Sequence, residues 1–196
     1  MLAKVVRGLL IGVTLGGVTC EAVARDLDSH VEELDRIPAV RTEYSVPNEH
    51  NMLFYIQRSA NSNTVVYAAR LDGQDHIDPD TPVDAYWRLF NIDGNTRPLN
   101  FVERLLAYGV KSVSHARQGG AITFKIAALP ERQLTLAEDG EGHPEALTSF
   151  GNRTVRLIYV YLQVDDSGLT PSVTALDLFG LEQGTGKALR EHVIPR

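Results

Sequence analysis

A mainly β domain, an antiparallel barrel or two-sheet sandwich of about nine strands with one short interior helix, is the fold class that this 196-residue sequence predicts. Three observations lead there. From residue 52 onward apolar and polar residues alternate with period two, the signature of half-buried strands. Clusters of glycine, aspartate and asparagine interrupt that alternation at short intervals, as hairpin turns do. Beyond residue 52 one stretch alone, residues 100–109, spaces its apolar residues as a helix would.

Taken in order, residues 1–24 read as a signal peptide: Lys4 and Arg7 precede an apolar run from Gly8 to Val18, and Ala22-Val23-Ala24 offers an A-x-A cleavage site. A bilayer crossing needs about 20 apolar residues, so the run predicts no retained membrane span in the mature chain. Cleavage near Ala24 predicts a periplasmic or secreted protein. Cys20, the sole cysteine, supplies the alternative of a lipid anchor, although Thr19 before it suits that poorly; either way the chain is expected to be exported. Residues 25–50 form a polar lead-in. Within it, Ser29-His30-Val31-Glu32 resembles a capping box and Val31, Leu34 and Ile37 keep helical spacing, so a short helix ending at Pro38 is expected.

Residues 51–196 then read as one β-rich domain, with strands expected at 52–58, 64–71, 85–92, 110–116, 120–128, 132–138, 153–165, 172–181 and 186–193. Ile122, Phe124, Ile126 and Ala128 share one face, as on a sheet that covers a core. Strand 153–165 is apolar on both faces, with Tyr159 and Tyr161 opposite Ile158, Val160 and Leu162, so it should be central or covered by the helix. Turns are expected at Gly119-Gly120, at 165–168 and at Gln183-Gly184-Thr185-Gly186. In the helix, Asn100 and Glu103 can cap the start, Val102, Leu105 and Leu106 form an apolar stripe against the sheet, and Gly109 suits a left-handed C′ position.

Composition excludes some functions. A net charge of −6 without a run of Lys and Arg argues against a nucleic-acid partner. The loop 71–84 carries Asp72, Asp75, His76, Asp78, Asp80 and Asp84, but Pro79 and Pro82 break the calcium-loop template, and the six histidines lack metalloprotease spacing; no metal and no cofactor are expected. The GTGK at 184–187 lacks the Ser or Thr that a phosphate loop needs after its lysine. No motif of fixed spacing marks a catalytic residue.

What remains are candidate ligand contacts. Alternation places Met52, Phe54, Ile56 and Arg58 on one side of the first core strand, so the Arg58 guanidinium follows the core face and must find an ion-pair partner or water at the barrel mouth. Ser59, Asn61 and Asn63 belong to the hairpin that follows. Tyr86, Trp87 and Tyr108 could line an apolar cavity with Arg58 at its entrance.

The stretches LFYIQRSANSNTVVYAARL at 53–71, PVDAYW at 82–87 and LLAYGV at 105–110 resemble the pattern of an uncharacterised bacterial family, the domain of unknown function 4833. The resemblance covers about residues 50–195. It implies an exported protein without an assigned activity, and it carries over no catalytic residue. Two functions of different class are left: a non-enzymatic β-module that binds a small amphipathic or acidic ligand or an envelope protein, or a hydrolase assembled from Ser59, His115 or His76, and an aspartate of the 71–84 loop.

Overall fold

The computed structural model describes residues 28–74, 76–115, 121–165, 167 and 172–194. The expected signal peptide, the turn at 119–120, and Asp166 and Gly168 of the turn at 165–168 lie outside these residues.

A single sheet is organised by one long strand, Arg153–Asp165 (β10). Its first half, Arg153–Arg156, pairs antiparallel with Pro144–Phe150 (β9), and its second half, Tyr159–Leu162, pairs parallel with Met52–Arg58 (β2). From β2 the sheet continues through Asn61–Ala69 (β3) and Val83–Arg88 (β4) to the short edge strand Thr96–Pro98 (β5). From β9 it continues through Leu129–Glu138 (β8) and Ile122–Ile126 (β7) to Val110–His115 (β6). The opposite edge of β10 carries Ser172–Glu182 (β11), then Ala188–Ile194 (β12), then Asp28–Leu34 (β1). The protein is mainly β, and its sheet curls into a half-barrel with almost no helix.

Twelve strands occur among the described residues, against about nine expected, because β1, β5 and β9 escaped the pattern. The helix expected around 29–37 is instead β1. Val31 packs on the main core while Leu34 packs on a second cluster, so residues three apart serve opposite faces of a strand rather than one face of a helix. Seven backbone partners along the open edge of β12 outweigh an isolated capping box. Strand β9 begins at a proline beside two glycines, which disguised it as a turn.

The concave side of the sheet holds the main core, with Phe54, Val65, Tyr67, Phe124, Leu134, Phe150, Leu157 and Leu178 all at or near zero exposure. Irregular pairing near Leu53 moves Met52 off this face, correcting its expected place beside Phe54 and Ile56. The other face of β10 carries a stacked ladder, with Tyr55 and Tyr159 centroids 5.2 Å apart and Tyr159 and Phe179 centroids 4.5 Å apart. A register shift between Leu157 and Tyr159 lets Ile158 join this ladder, whereas alternation had set it opposite Tyr159. The lead-in covers the ladder, not the helix: Leu34 and Ile37 pack on it, and the Tyr159 hydroxyl donates to the Pro38 carbonyl at 2.5 Å. Burial pushes the Tyr55 hydroxyl up to about 12.

The interior helix shrinks to one π-helical turn, Glu103–Ala107. Its cap is as expected: the Asn100 N–H donates to Glu103 Oε2 at 2.7 Å and the Glu103 N–H to Asn100 Oδ1 at 2.9 Å. Its stripe is not. Val102, Leu105 and Leu106 are 60%, 50% and 71% exposed, so the turn plugs nothing. Gly109 does not use a left-handed conformation but allows a close approach, since a Cβ there would lie 2.0 Å from the Arg104 carbonyl oxygen.

Candidate functional site

Four of the seven residues singled out from the sequence meet around one cleft. Arg58 ends β2, Asn63 lies early in β3, Trp87 sits on the inward face of β4, and Tyr108 closes the π-turn; Arg97 and Glu103 complete the polar wall. The cleft has a volume of about 310 Å³, and Leu89, Val102, Leu106 and Ala107 line its apolar side.

Trp87 is its centre. The Arg58 guanidinium stands 4.9 Å from the indole centroid and the Arg97 guanidinium 6.0 Å, while the Tyr108 ring meets the indole edge-on at 5.2 Å. Tyr108 is held from behind, since the buried Tyr67 hydroxyl donates to its carbonyl at 2.7 Å. Burial, with Tyr108 beside it, pushes the Tyr67 hydroxyl well above the usual tyrosine value, so it acts as a donor at all ordinary pH.

The charges do not balance inside the cleft. Arg97 pairs with Glu103 at 2.7 Å. Burial raises the Glu103 carboxyl, but the hydrogen bond from Asn100 and then the Arg97 guanidinium outweigh it, and its pKa falls below the ordinary carboxylate value. The Trp87 indole assists without reaching hydrogen-bond geometry, which leaves Trp87 Nε1 buried and without a bonded partner. Arg58 lacks the expected ion pair: among the described residues no carboxylate is within reach, its Nη2 makes one long hydrogen bond to Asn61 Oδ1 at 3.4 Å, and its Nε is buried with no acceptor. Two N–H donors of this cleft therefore lack acceptors.

Asn61 acts indirectly, through Arg58 and by accepting the Asn63 N–H at 3.0 Å; Asn63 in turn accepts the Asn91 N–H at 3.2 Å. Tyr86 and Ser59 lie elsewhere. Tyr86 follows the strand's alternation to the face opposite Trp87. Ser59 Oγ accepts the Val164 N–H at 2.9 Å and donates to the Val164 carbonyl at 3.4 Å, tying the β2–β3 hairpin to β10. The loop holding His76 joins β3 to β4 at the far end of β3, a nine-residue strand and so about 30 Å from Ser59. That spacing keeps Ser59 from His76 and from the 71–84 aspartates; the His115 side chain lies outside the described ones. In the loop itself, Asp72 Oδ1 accepts the Gln74 and His76 N–H groups, and Asp78 Oδ1 those of Asp80 and Thr81. These carboxylates shape their own turn.

The family model described as Domain of unknown function (DUF4833) matches residues 54–192. The chain belongs to that family. Comparison with curated proteins and with solved structures returned no match. Every residue of the cleft falls inside the DUF4833 span.

Sequence reasoning missed Arg97 and Glu103 as cleft residues. The capping box placed Glu103 at the start of the turn, and that was the available signal, since Arg97 reaches the site by pairing with it. Val102 and Leu106 were singled out as core residues, not as the rim of a cleft.

Proposed function

We propose that this DUF4833 protein is an exported, non-enzymatic β-module whose Trp87 cleft binds a small amphipathic anion. The observation that carries this reading is the pair of buried N–H groups, Arg58 Nε and Trp87 Nε1, that make no hydrogen bond in the described structure and belong to side chains lining the same cleft. Leaving such donors unsatisfied costs about 1–3 kcal/mol each. A carboxylate or phosphate between them would recover that cost. Two arginines against one glutamate leave the cleft positive within a protein of net charge −6, and the apolar wall suits the ligand's tail. Export rests on Lys4, Arg7, the apolar run and Ala22-Val23-Ala24, with residues 25–50 as lead-in and 51–196 as the working domain.

Trp87 is the sole tryptophan, so its fluorescence reports the cleft directly. Titration with octanoate should shift the emission saturably, while octan-1-ol, equal in chain length but uncharged, should bind at least roughly tenfold more weakly if a charge-assisted bond contributes. Equal responses to both, or none to octanoate, would overturn the anion assignment.

A further inference from the structure

We propose that residues 101–106, which lead into and include most of the π-turn, are a docking element for the surface of an anionic lipid bilayer. Phe101, Val102, Leu105 and Leu106 are 77%, 60%, 50% and 71% exposed, four large apolar side chains on six consecutive residues. Scattered exposed apolar residues are ordinary, but a contiguous set marks a contact surface. Here exposure is built in. Leu99 before the turn and Tyr108 after it are buried and anchor its two ends, the Asn100–Glu103 cap closes its start, and Gly109 packs tightly on the Arg104 carbonyl.

The surrounding charge selects the occupant. Arg70, Arg97, Arg104 and Lys111 flank the turn, against Asp84 and Glu103. Arg70 pairs with Asp84 and Arg97 with Glu103, while Arg104 and Lys111 have no carboxylate partner among the described residues. The flank is therefore positive on a protein whose net charge is −6. Clefts of about 310 and 470 Å³ lie on the two sides of the turn, so it projects as a narrow apolar tip with cations at its base. A tip of that form enters a deformable apolar medium below a layer of negative headgroups: side chains pass into the acyl boundary, and Arg104 and Lys111 remain at the phosphates.

Flotation of the full chain with vesicles tests this. Phosphatidylcholine vesicles containing about one quarter phosphatidylglycerol should carry roughly tenfold more protein than phosphatidylcholine alone at low salt, and added salt should release it. The double substitution Phe101→Ser and Leu105→Ser changes exposed residues outside the Trp87 cleft, so melting and octanoate titration should match the wild type while flotation falls roughly tenfold. Arg104→Glu with Lys111→Glu should remove the preference for the anionic vesicles. Absence of wild-type flotation would overturn the proposal, as would equal flotation of the serine variant, which assigns binding to another segment. A concentration-dependent dimer that the serine variant abolishes would also overturn it, assigning the turn to a second copy of the chain. Absence of octanoate binding by the wild type would overturn the cleft assignment and leave this result standing.

Discussion

Replacing Arg58 by methionine separates what this side chain does for the fold from what it does for a ligand. In the fold, the substitution removes a guanidinium 4.9 Å from the Trp87 centroid, a contact worth about 0.5–2 kcal/mol. It also removes a buried Nε that has no acceptor, relieving about 1–3 kcal/mol. The methionine stem keeps most of the apolar contact, and the single bond to Asn61 at 3.4 Å is too long to contribute much. The two effects offset, so urea unfolding followed by Trp87 fluorescence should give a stability within about 1 kcal/mol of the wild type. For the ligand there is no offset: losing a charge-assisted bond of about 1.5–3 kcal/mol weakens octanoate binding roughly 10- to 100-fold. A destabilisation of about 3–5 kcal/mol would be the mark of a broken buried ion pair and would refute the reasoning. Unchanged octanoate affinity would remove Arg58 from the site.

Two further outcomes follow from the sheet. Gly180→Ala should cost about 1–3 kcal/mol in the same unfolding measurement, because the new Cβ would lie 2.3 Å from Val155 Cγ1 and 2.5 Å from the Arg156 carbonyl; no loss would mean that β10 and β11 have slack at this point. Asp177 is buried against its partners Arg190 and His192, each at 2.7 Å; burial raises its carboxyl, but these partners outweigh it and hold the pKa below the ordinary value. A depressed folded-state pKa gives stability that is complete above the unfolded value near about 4 and is lost as pH falls through the folded one. Asp177→Asn should therefore lower stability at neutral pH by about 2 kcal/mol and flatten the acid limb of the stability profile; a parallel acid limb would assign that loss to other carboxylates.

Much of the sheet was legible because period two is a local signal. Strands β2, β7, β10 and β11 stand close to where alternation placed them, and the Asn100–Glu103 cap is there as read. What was not legible depends on partners far away in sequence. Strand β1 exists because β12 offers an edge, and the outer ladder of Tyr55, Tyr159 and Phe179 is covered by a segment whose role no local pattern announces. The same holds for the site. Arg58, Asn63, Trp87 and Tyr108 were visible as unusual residues, and a shared cleft follows only from the sheet's curl. Arg97 was silent without its partner Glu103. The apolar stripe of the turn had the right spacing for a buried helix, yet Val102, Leu105 and Leu106 face outward, an orientation set by the buried residues Leu99 and Tyr108 on either side and not by the stripe itself.

The pairing of β1 with β12 also constrains how a ribosome can deliver this protein. Asp28 meets Ile194, and the parallel partners Tyr55 and Tyr159 are likewise far apart in the chain. Such high contact order defers ladder formation until late segments exist, because loop closure must be paid before distant strands reward it. A nascent chain extending from its N-terminus has no template for β1 until residues 188–194 have been made. The N-terminal strand therefore stays without its partner until the end of synthesis, and a premature stop before β12 would cost the sheet two strands, β12 itself and the β1 that pairs on it.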